Sequence, residues 1–104
     1  MTQSIVHPQR VAWDSARVIV RALDTVWCGW LADQLAARLG PGYRQEIIDS
    51  RVRLLTSNRP DAIDIEAGRW RVRLDEALRQ RPEITGAVLD LTRQTADHLR
   101  GWGR

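Results

Sequence analysis

The sequence predicts an all-α protein, a compact four-helix bundle with a long first helix. Apolar residues recur every three or four positions along most of the 104 residues, which is typical of amphipathic helices. Glycine and proline interrupt this pattern in three places, and a chain of this length fits one domain, 1–104. The predicted helices cover about 9–39, 43–57, 61–81 and 83–100.

The first segment is the longest predicted helix and would measure about 46 Å if it were straight. A compact domain of about 100 residues has a radius of gyration of only about 13 Å, so a straight helix would project beyond it. The apolar stripe also shifts in phase after Gly29. We therefore expect either a kink near Gly29 or another chain that covers the overhang. The stripe before the shift comprises Ala12, Ala16, Ile19, Leu23, Val26, Trp27 and Trp30.

The second and fourth segments are amphipathic helices that begin after clear stop signals. Gly40 and Pro41 end the first segment, because glycine accepts unusual backbone angles and proline cannot continue a helix. The predicted inward residues of the second helix are Tyr43, Ile47, Ile48, Val52 and Leu55. Those of the fourth helix are Ile84, Ala87, Val88, Leu91 and Leu99, with His98 at the margin.

The third segment permits two interpretations. Ile63, Ala67, Trp70 and Leu74 follow a helical rhythm, but residues 62–74 also alternate with a period of two, as in a β-hairpin. A hairpin would stand alone in this chain, and two isolated strands are marginal in water. We favour the helix, and the hairpin remains the alternative.

The composition is unusual in two ways. All 16 basic residues are arginines, and the aromatic residues are five tryptophans and one tyrosine. The net charge is only +3, and acidic residues lie near the arginines along the whole chain. The high isoelectric point therefore reflects the absence of lysine more than a strongly basic surface.

The sequence offers no recognisable catalytic, metal or cofactor site. His7, His98 and Cys28 lack the spacing of metal ligands, and no serine lies in a nucleophile motif. The single cysteine, Cys28, cannot form an internal disulfide, and we expect it to be a small packing residue. No stretch of the sequence reads as a secretory signal or a membrane span. We expect a cytoplasmic protein that is not an enzyme and binds no cofactor.

Protein binding fits the composition best, since tryptophan and arginine are enriched at interface hot spots. Trp27, Trp30 and Trp70 lie on predicted inward faces, which leaves two tryptophans for contacts with another chain. We expect self-association or docking to a larger partner through the first helix. The predicted interface residues are Trp13, Arg17, Val18, Arg21 and Trp102.

The alternative function is that of a small helical nucleic-acid-binding regulator. Arginine side chains can contact phosphate and guanine, and four of them cluster around the second helix. The neighbouring acidic residues of the third segment weigh against this interpretation. The candidate nucleic-acid contacts are Arg44, Arg51, Arg53 and Arg59.

Residues 60–95 carry a resemblance to a known class of module. The run Leu74-Asp-Glu-Ala-Leu-Arg-Gln-Arg-Pro-Glu-Ile84, followed by Val88 and Leu91, resembles small helical adaptor-like modules of actinobacteria. Those modules accompany signalling NTPases, proteases or conflict-system effectors. Their usual joint is Asp-Pro-Glu-Leu, whereas this chain has Arg81-Pro82-Glu83-Ile84. The resemblance implies a bacterial helical interaction module and carries over no catalytic residue.

Overall fold

The computed structural model describes residues 7–102, apart from the side chain of Trp102, and all the regular structure in this range is helical. The all-α prediction is confirmed. Five α-helices follow one another, and a short 3-10 helix, Pro82–Ile84, precedes the last of them. The helices are α1 (Pro8–Ala22), α2 (Cys28–Leu39), α3 (Gly42–Thr56), α4 (Ala62–Gln80) and α5 (Thr85–Trp102).

The prediction of one long first helix, 9–39, is wrong, because the chain turns at residues 23–27. The break therefore lies before Gly29, which belongs to the first turn of α2. Thr25 explains its position. The hydroxyl of Thr25 donates to the Ala22 carbonyl at 2.7 Å and accepts from the Trp27 backbone N–H at 3.1 Å. Such bonds offer the backbone an alternative to the helix.

The third segment is the helix α4 throughout, so the hairpin alternative for residues 62–74 is wrong. Its inward side carries Ala67, Trp70, Leu74 and Leu78, which are all nearly inaccessible to solvent. Ile63, in contrast, remains 58% exposed.

Helix α1 is the centre of the fold, and it packs against both α4 and α5. Helix α2 packs mainly on α3, to which the two-residue link Gly40-Pro41 connects it. Gly40 has a φ of 144°, a value that favours glycine. The radius of gyration of 13.6 Å matches the roughly 13 Å expected for a compact domain of this size. The core is lined mainly by aliphatic residues, among them Ala12, Ile19, Leu23, Leu31, Leu35, Ile47, Leu74 and Leu91.

Two arginines join α2 to the C-terminal part of the chain. Arg81 donates to the Leu39 carbonyl at 2.8 Å, so its positive charge lies at the C-terminal end of α2, where the helix dipole favours it. Arg38 donates to the Ala87 carbonyl at 3.2 Å and pairs with Asp90. These bonds fasten the α2–α3 pair to the helices that follow it.

Helix α3 differs from its predicted orientation. Within α3 only Ile47 and Ser50 are buried, Tyr43 packs half-buried against the core, and the other three residues of the predicted inward stripe face outward. Ile48, Val52 and Leu55 are 44%, 54% and 56% exposed. We call these three residues the α3 stripe.

Candidate functional site

A groove runs along the contact between α1 and α4, and Trp13 stands in its middle. On one side of Trp13 is a cleft of about 290 Å³, to which Arg17, Val20 and Arg21 of α1 contribute. Its α4 wall is formed by Ile63, Asp64 and Ala67. A second, more open cleft on the other side is lined by Gln9, Arg10, Trp13, Asp14, Arg17 and Arg71. Because Trp13 and Arg17 line both clefts, we treat them as one site, the Trp13 groove.

The packing of α1 on α4 explains why Trp13 is available. Ala12 and Ala16 point into the core and are fully buried, and small side chains at these positions let neighbouring helices approach closely. Trp13 is one position further round the helix, at the edge of this contact. Its side chain is therefore 38% exposed, although tryptophan carries the largest apolar surface of any residue type here.

Two guanidinium groups lie over the Trp13 indole. The Cζ atom of Arg17 is 5.0 Å from the ring centroid, and that of Arg71 is 5.9 Å away. Both distances are within the range of cation–π attraction. These contacts hold one arginine from α1 and one from α4 beside the exposed ring.

The arginines of the Trp13 groove differ from the other arginines of the described chain. Eleven arginines between residues 7 and 101 form an ion pair or donate a hydrogen bond. Four have neither kind of contact with any residue that the structure describes, and all four are exposed. They are Arg10, Arg17, Arg21 and Arg71, and all of them line the groove.

The acidic residues of the groove do not neutralise these charges. Asp14 lines one cleft and Asp64 the other, and neither forms an ion pair within the described residues. Four arginines against two aspartates leave the groove with a local charge of +2, while the whole chain carries +3. The groove therefore carries a local excess of positive charge around one tryptophan.

Three of the five predicted interface residues, Trp13, Arg17 and Arg21, come together in this groove. Val18 lies apart from these three, and its predicted interface role stays a prediction. Val18 is half-buried and lines a small internal space with residues of α2, α4 and α5, because five positions beyond Trp13 correspond to about 140° of rotation. The side chain of Trp102 lies outside the described residues.

Sequence reasoning did not identify Arg10, Arg71 or Asp64 as parts of this site. Their placement depends on how α4 lies against α1, and helical periodicity carries no information about that contact. Ile63 shares the helical spacing of the buried α4 residues, although it is exposed. The sequence signal that did locate the groove was the placement of Trp13 and Arg17 at the edge of an apolar face.

The four candidate nucleic-acid contacts are all engaged within the chain. Arg44 pairs with Asp33, and Arg51 donates to the Leu23 carbonyl at 2.6 Å. Arg53 and Arg59 do line one cleft together with Arg69. However, Arg53 binds both carboxylate oxygens of Glu66 at 3.0–3.2 Å, and Arg59 pairs with Asp61 at 2.9 Å. Three of the four thus face an acidic partner, and the fourth, Arg51, bonds a backbone carbonyl.

A buried polar network joins α3 to α4, and no pattern in the sequence indicates it. Ser50 is fully buried and donates to Glu66 Oε1 at 2.7 Å, while it accepts from Trp70 Nε1 at 3.0 Å. Glu66 is 3% exposed. Burial, the strongest single influence, raises the pKa of the Glu66 carboxyl, but the hydrogen bonds from Arg53 and Ser50 and the charges of Arg53 and Arg69 outweigh it. The net pKa lies below the ordinary value.

An aromatic cluster joins α2 to α5. The His98 ring stacks on Trp27 with centroids 4.0 Å apart and meets Trp30 edge-on at 4.6 Å. All three side chains are half-buried, so of the three tryptophans predicted to be inward only Trp70 is fully enclosed. The stacking is a structural contact, and the predicted position of His98 at the margin of its helix is confirmed.

The described residues show no other reactive arrangement. Cys28 is buried among core residues as a free thiol, as its predicted packing role requires. Residues 7–102 contain no group of three His, Cys, Asp or Glu side chains that could hold a metal ion. Within the same range, no helix has both the length and the apolar composition needed to cross a membrane.

Comparison with known protein families, with curated proteins and with solved structures gives no match for this chain. The resemblance of residues 60–95 to adaptor-like modules therefore stays a prediction. What the chain itself presents is a groove with an exposed indole, an isoleucine and an excess of positive charge.

Proposed function

We propose that the chain is a non-catalytic protein-interaction module that docks a partner protein through the Trp13 groove. One observation carries the proposal: the four arginines without an ion pair or hydrogen bond among the described residues all line the groove of the same exposed tryptophan. Tryptophan and arginine dominate the energetics of protein interfaces, because each covers a large area and retains hydrogen-bonding groups. Arginines without an internal partner keep these groups available for another chain.

The rest of the chain supports a scaffold role. Helices α1 and α4 form the most extensive helix contact of the fold, so the walls of the groove rest on a rigid pair. An adaptor of this kind needs no reactive group, which agrees with the absence of a nucleophile motif in the sequence. Since its only cysteine is a thiol that takes part in core packing, the fold is compatible with a reducing compartment such as the cytoplasm.

We favour docking to a different protein over self-association through the Trp13 groove. A twofold-symmetric dimer brings the same patch of both copies together. Two Trp13 grooves face to face would oppose two clusters of +2 charge, and like charges placed opposite each other weaken binding.

Site-specific photo-crosslinking tests the proposal. A photoreactive amino acid replaces Ile63, which is 58% exposed in the groove, and in a second variant it replaces Leu89, which is 43% exposed on α5. Each variant is irradiated in an extract of the source cells. We expect one protein to be captured from position 63 and not from position 89, to be lost after Trp13→Ala, and to bind again when purified.

Four results would contradict the proposal. Equal capture at both positions, or capture that survives Trp13→Ala, would show that the groove is not the docking surface. A crosslinked homodimer from position 63 would show self-association instead, and crosslinking to nucleic acid alone would favour the regulator alternative. Circular dichroism of each variant confirms that the fold is retained.

A further inference from the structure

We infer that the segment bound by the Trp13 groove is acidic and amphipathic, with carboxylates on either side of an apolar anchor. This inference rests on the proposed function, since it specifies the partner of the same groove. It is drawn from the charges, the spacing and the apolar surface of the groove.

The positive charge of the groove favours an anionic partner. Arg10, Arg17, Arg21 and Arg71 have no counterion among the described residues, and each presents up to five N–H donors in a planar fork. A carboxylate matches this fork with two parallel hydrogen bonds. Complementary charge of this kind guides the encounter and selects the partner.

The spacing of the arginines sets the length of the bound segment. Arg10, Arg17 and Arg21 are seven and four positions apart, so they lie along one side of α1. At 1.5 Å per residue they cover about 16 Å. A helix of three turns, with an acidic residue every three or four positions, would place carboxylates along this whole length.

The apolar part of the groove favours a partner with an apolar anchor side chain between these carboxylates. Trp13 and Ile63 expose 38% and 58% of their surface on opposite walls, and Val20 and Ala67 line the cleft between them. Burial of apolar surface contributes roughly 25 cal/mol for each Å². A leucine, phenylalanine or tryptophan side chain from the partner would cover this cleft and exclude water from the surrounding ion pairs.

A nucleic acid fits the same groove less well. Single-stranded nucleic acids bind by stacking bases on exposed aromatic rings, but guanidinium groups already lie over the Trp13 indole. Asp14 and Asp64 also face the groove, and they would repel a phosphate backbone. A folded peptide can place an uncharged side chain near these aspartates. In a nucleic acid every phosphate of the backbone is negatively charged.

Peptide display tests the inference. A library of random peptides of about 16 residues is selected against the full chain, and the affinity of the selected peptides is then measured for the full chain and for Arg17→Glu/Arg21→Glu. The matched control is Arg93→Glu/Arg100→Glu, which makes the same change in charge on α5, where both arginines are exposed. A mixed-sequence single-stranded DNA of about 12 nucleotides is titrated in parallel.

We expect the selected peptides to be enriched in Asp and Glu around one or two Leu, Phe or Trp residues. Their affinity should fall roughly 10- to 100-fold in Arg17→Glu/Arg21→Glu and less than about twofold in the control. It should also fall in Trp13→Ala.

The other outcomes separate the inference from the proposed function. Selected peptides that need Trp13 but carry no acidic excess would overturn the inference and leave the docking groove in place. Selected peptides whose affinity is unchanged by Trp13→Ala and by Arg17→Glu/Arg21→Glu would overturn the inference and the proposed function. Tighter binding of the DNA than of any peptide, lost in Arg17→Glu/Arg21→Glu, would also overturn both in favour of nucleic acid.

Discussion

The indole N–H of Trp70 donates a hydrogen bond of 3.0 Å to the hydroxyl of Ser50, and both side chains are buried. The Ser50 hydroxyl in turn donates a hydrogen bond of 2.7 Å to the Glu66 carboxylate. Helix α3 buries only two of its side chains, Ile47 and Ser50, so this polar contact is one of its main attachments to the rest of the fold. The α3–α4 contact therefore depends on hydrogen-bonding groups that must all be satisfied.

Removal of the Ser50 hydroxyl should be costly for so small a change. Ser50→Ala leaves the Trp70 indole N–H without its partner and takes one donor from Glu66. We expect the free energy of unfolding to fall by about 1–3 kcal/mol, measured by urea denaturation. Ser57→Ala, at a half-exposed position, is the matched control and should cost much less. Equal losses in the two variants would contradict the proposed importance of the network.

The pH dependence of stability should depend on Glu66. Because the pKa of Glu66 is lower in the folded chain than its ordinary value of 4.5, the ionised carboxylate favours folding. This contribution is complete above the ordinary value and is lost as the pH falls through the lowered pKa. We expect the free energy of unfolding of Glu66→Gln to decrease less on acidification than that of the wild type.

The control for this titration is Glu76→Gln, at an exposed position of α4 whose carboxylate contacts only Gln80. This variant separates the loss of the Glu66 carboxylate from the general effect of an acid-to-amide change on α4. Parallel curves for the wild type and Glu66→Gln below pH 4.5 would show that the carboxylate is not preferentially stabilised in the folded chain.

The turn between α1 and α2 should be sensitive to the Thr25 hydroxyl. Thr25→Val keeps the shape of the side chain but removes the bonds to the Ala22 carbonyl and the Trp27 N–H. We expect a loss of about 0.5–1.5 kcal/mol in the free energy of unfolding, the typical net contribution of a hydrogen bond. Thr56→Val, where an exposed hydroxyl bonds only within α3, should be close to neutral. A neutral Thr25→Val would remove our explanation of the break.

The His98 ring should stabilise the α2–α5 contact as an aromatic surface. Its stacking on Trp27 is worth about 0.5–1.5 kcal/mol beyond simple burial. We expect His98→Ala to lower the free energy of unfolding by at least this amount and to change the near-ultraviolet circular dichroism of the tryptophans. His98→Phe should retain most of the stability, since it keeps a flat ring. Equal losses in both variants would point to the ring nitrogens instead.

The sequence predicted the helical class and the bounds of two helices well. The expected ranges 43–57 and 61–81 correspond to Gly42–Thr56 and Ala62–Gln80, because glycine and proline mark both ends of each segment. The break at Thr25 was missed for a physical reason. A threonine on the polar face of a helix and a threonine that bonds the backbone of a turn look the same in a periodicity pattern.

The orientation of α3 could not be predicted from its own pattern. Its most enclosed polar side chain is Ser50, while Val52 and Leu55 are more than half exposed. Burial of Ser50 is possible only because Glu66 and Trp70, 16 and 20 positions away, supply its hydrogen-bond partners. The candidate site depends on tertiary packing in the same way. Trp13 could be identified from the sequence, but Arg71 lies beside it only because α4 packs on α1.

The α3 stripe is the main competitor of the Trp13 groove as a docking surface, since Ile48, Val52 and Leu55 are all exposed. The most direct test of the docking proposal is a ¹H–¹⁵N spectrum of the labelled chain during titration with the protein captured from position 63. We predict that the chemical shifts of the Trp13 indole and of the Arg17, Arg21 and Ile63 backbone amides change together. The chemical shifts of the α3 stripe should stay unchanged. Shifts confined to the α3 stripe would contradict the docking proposal.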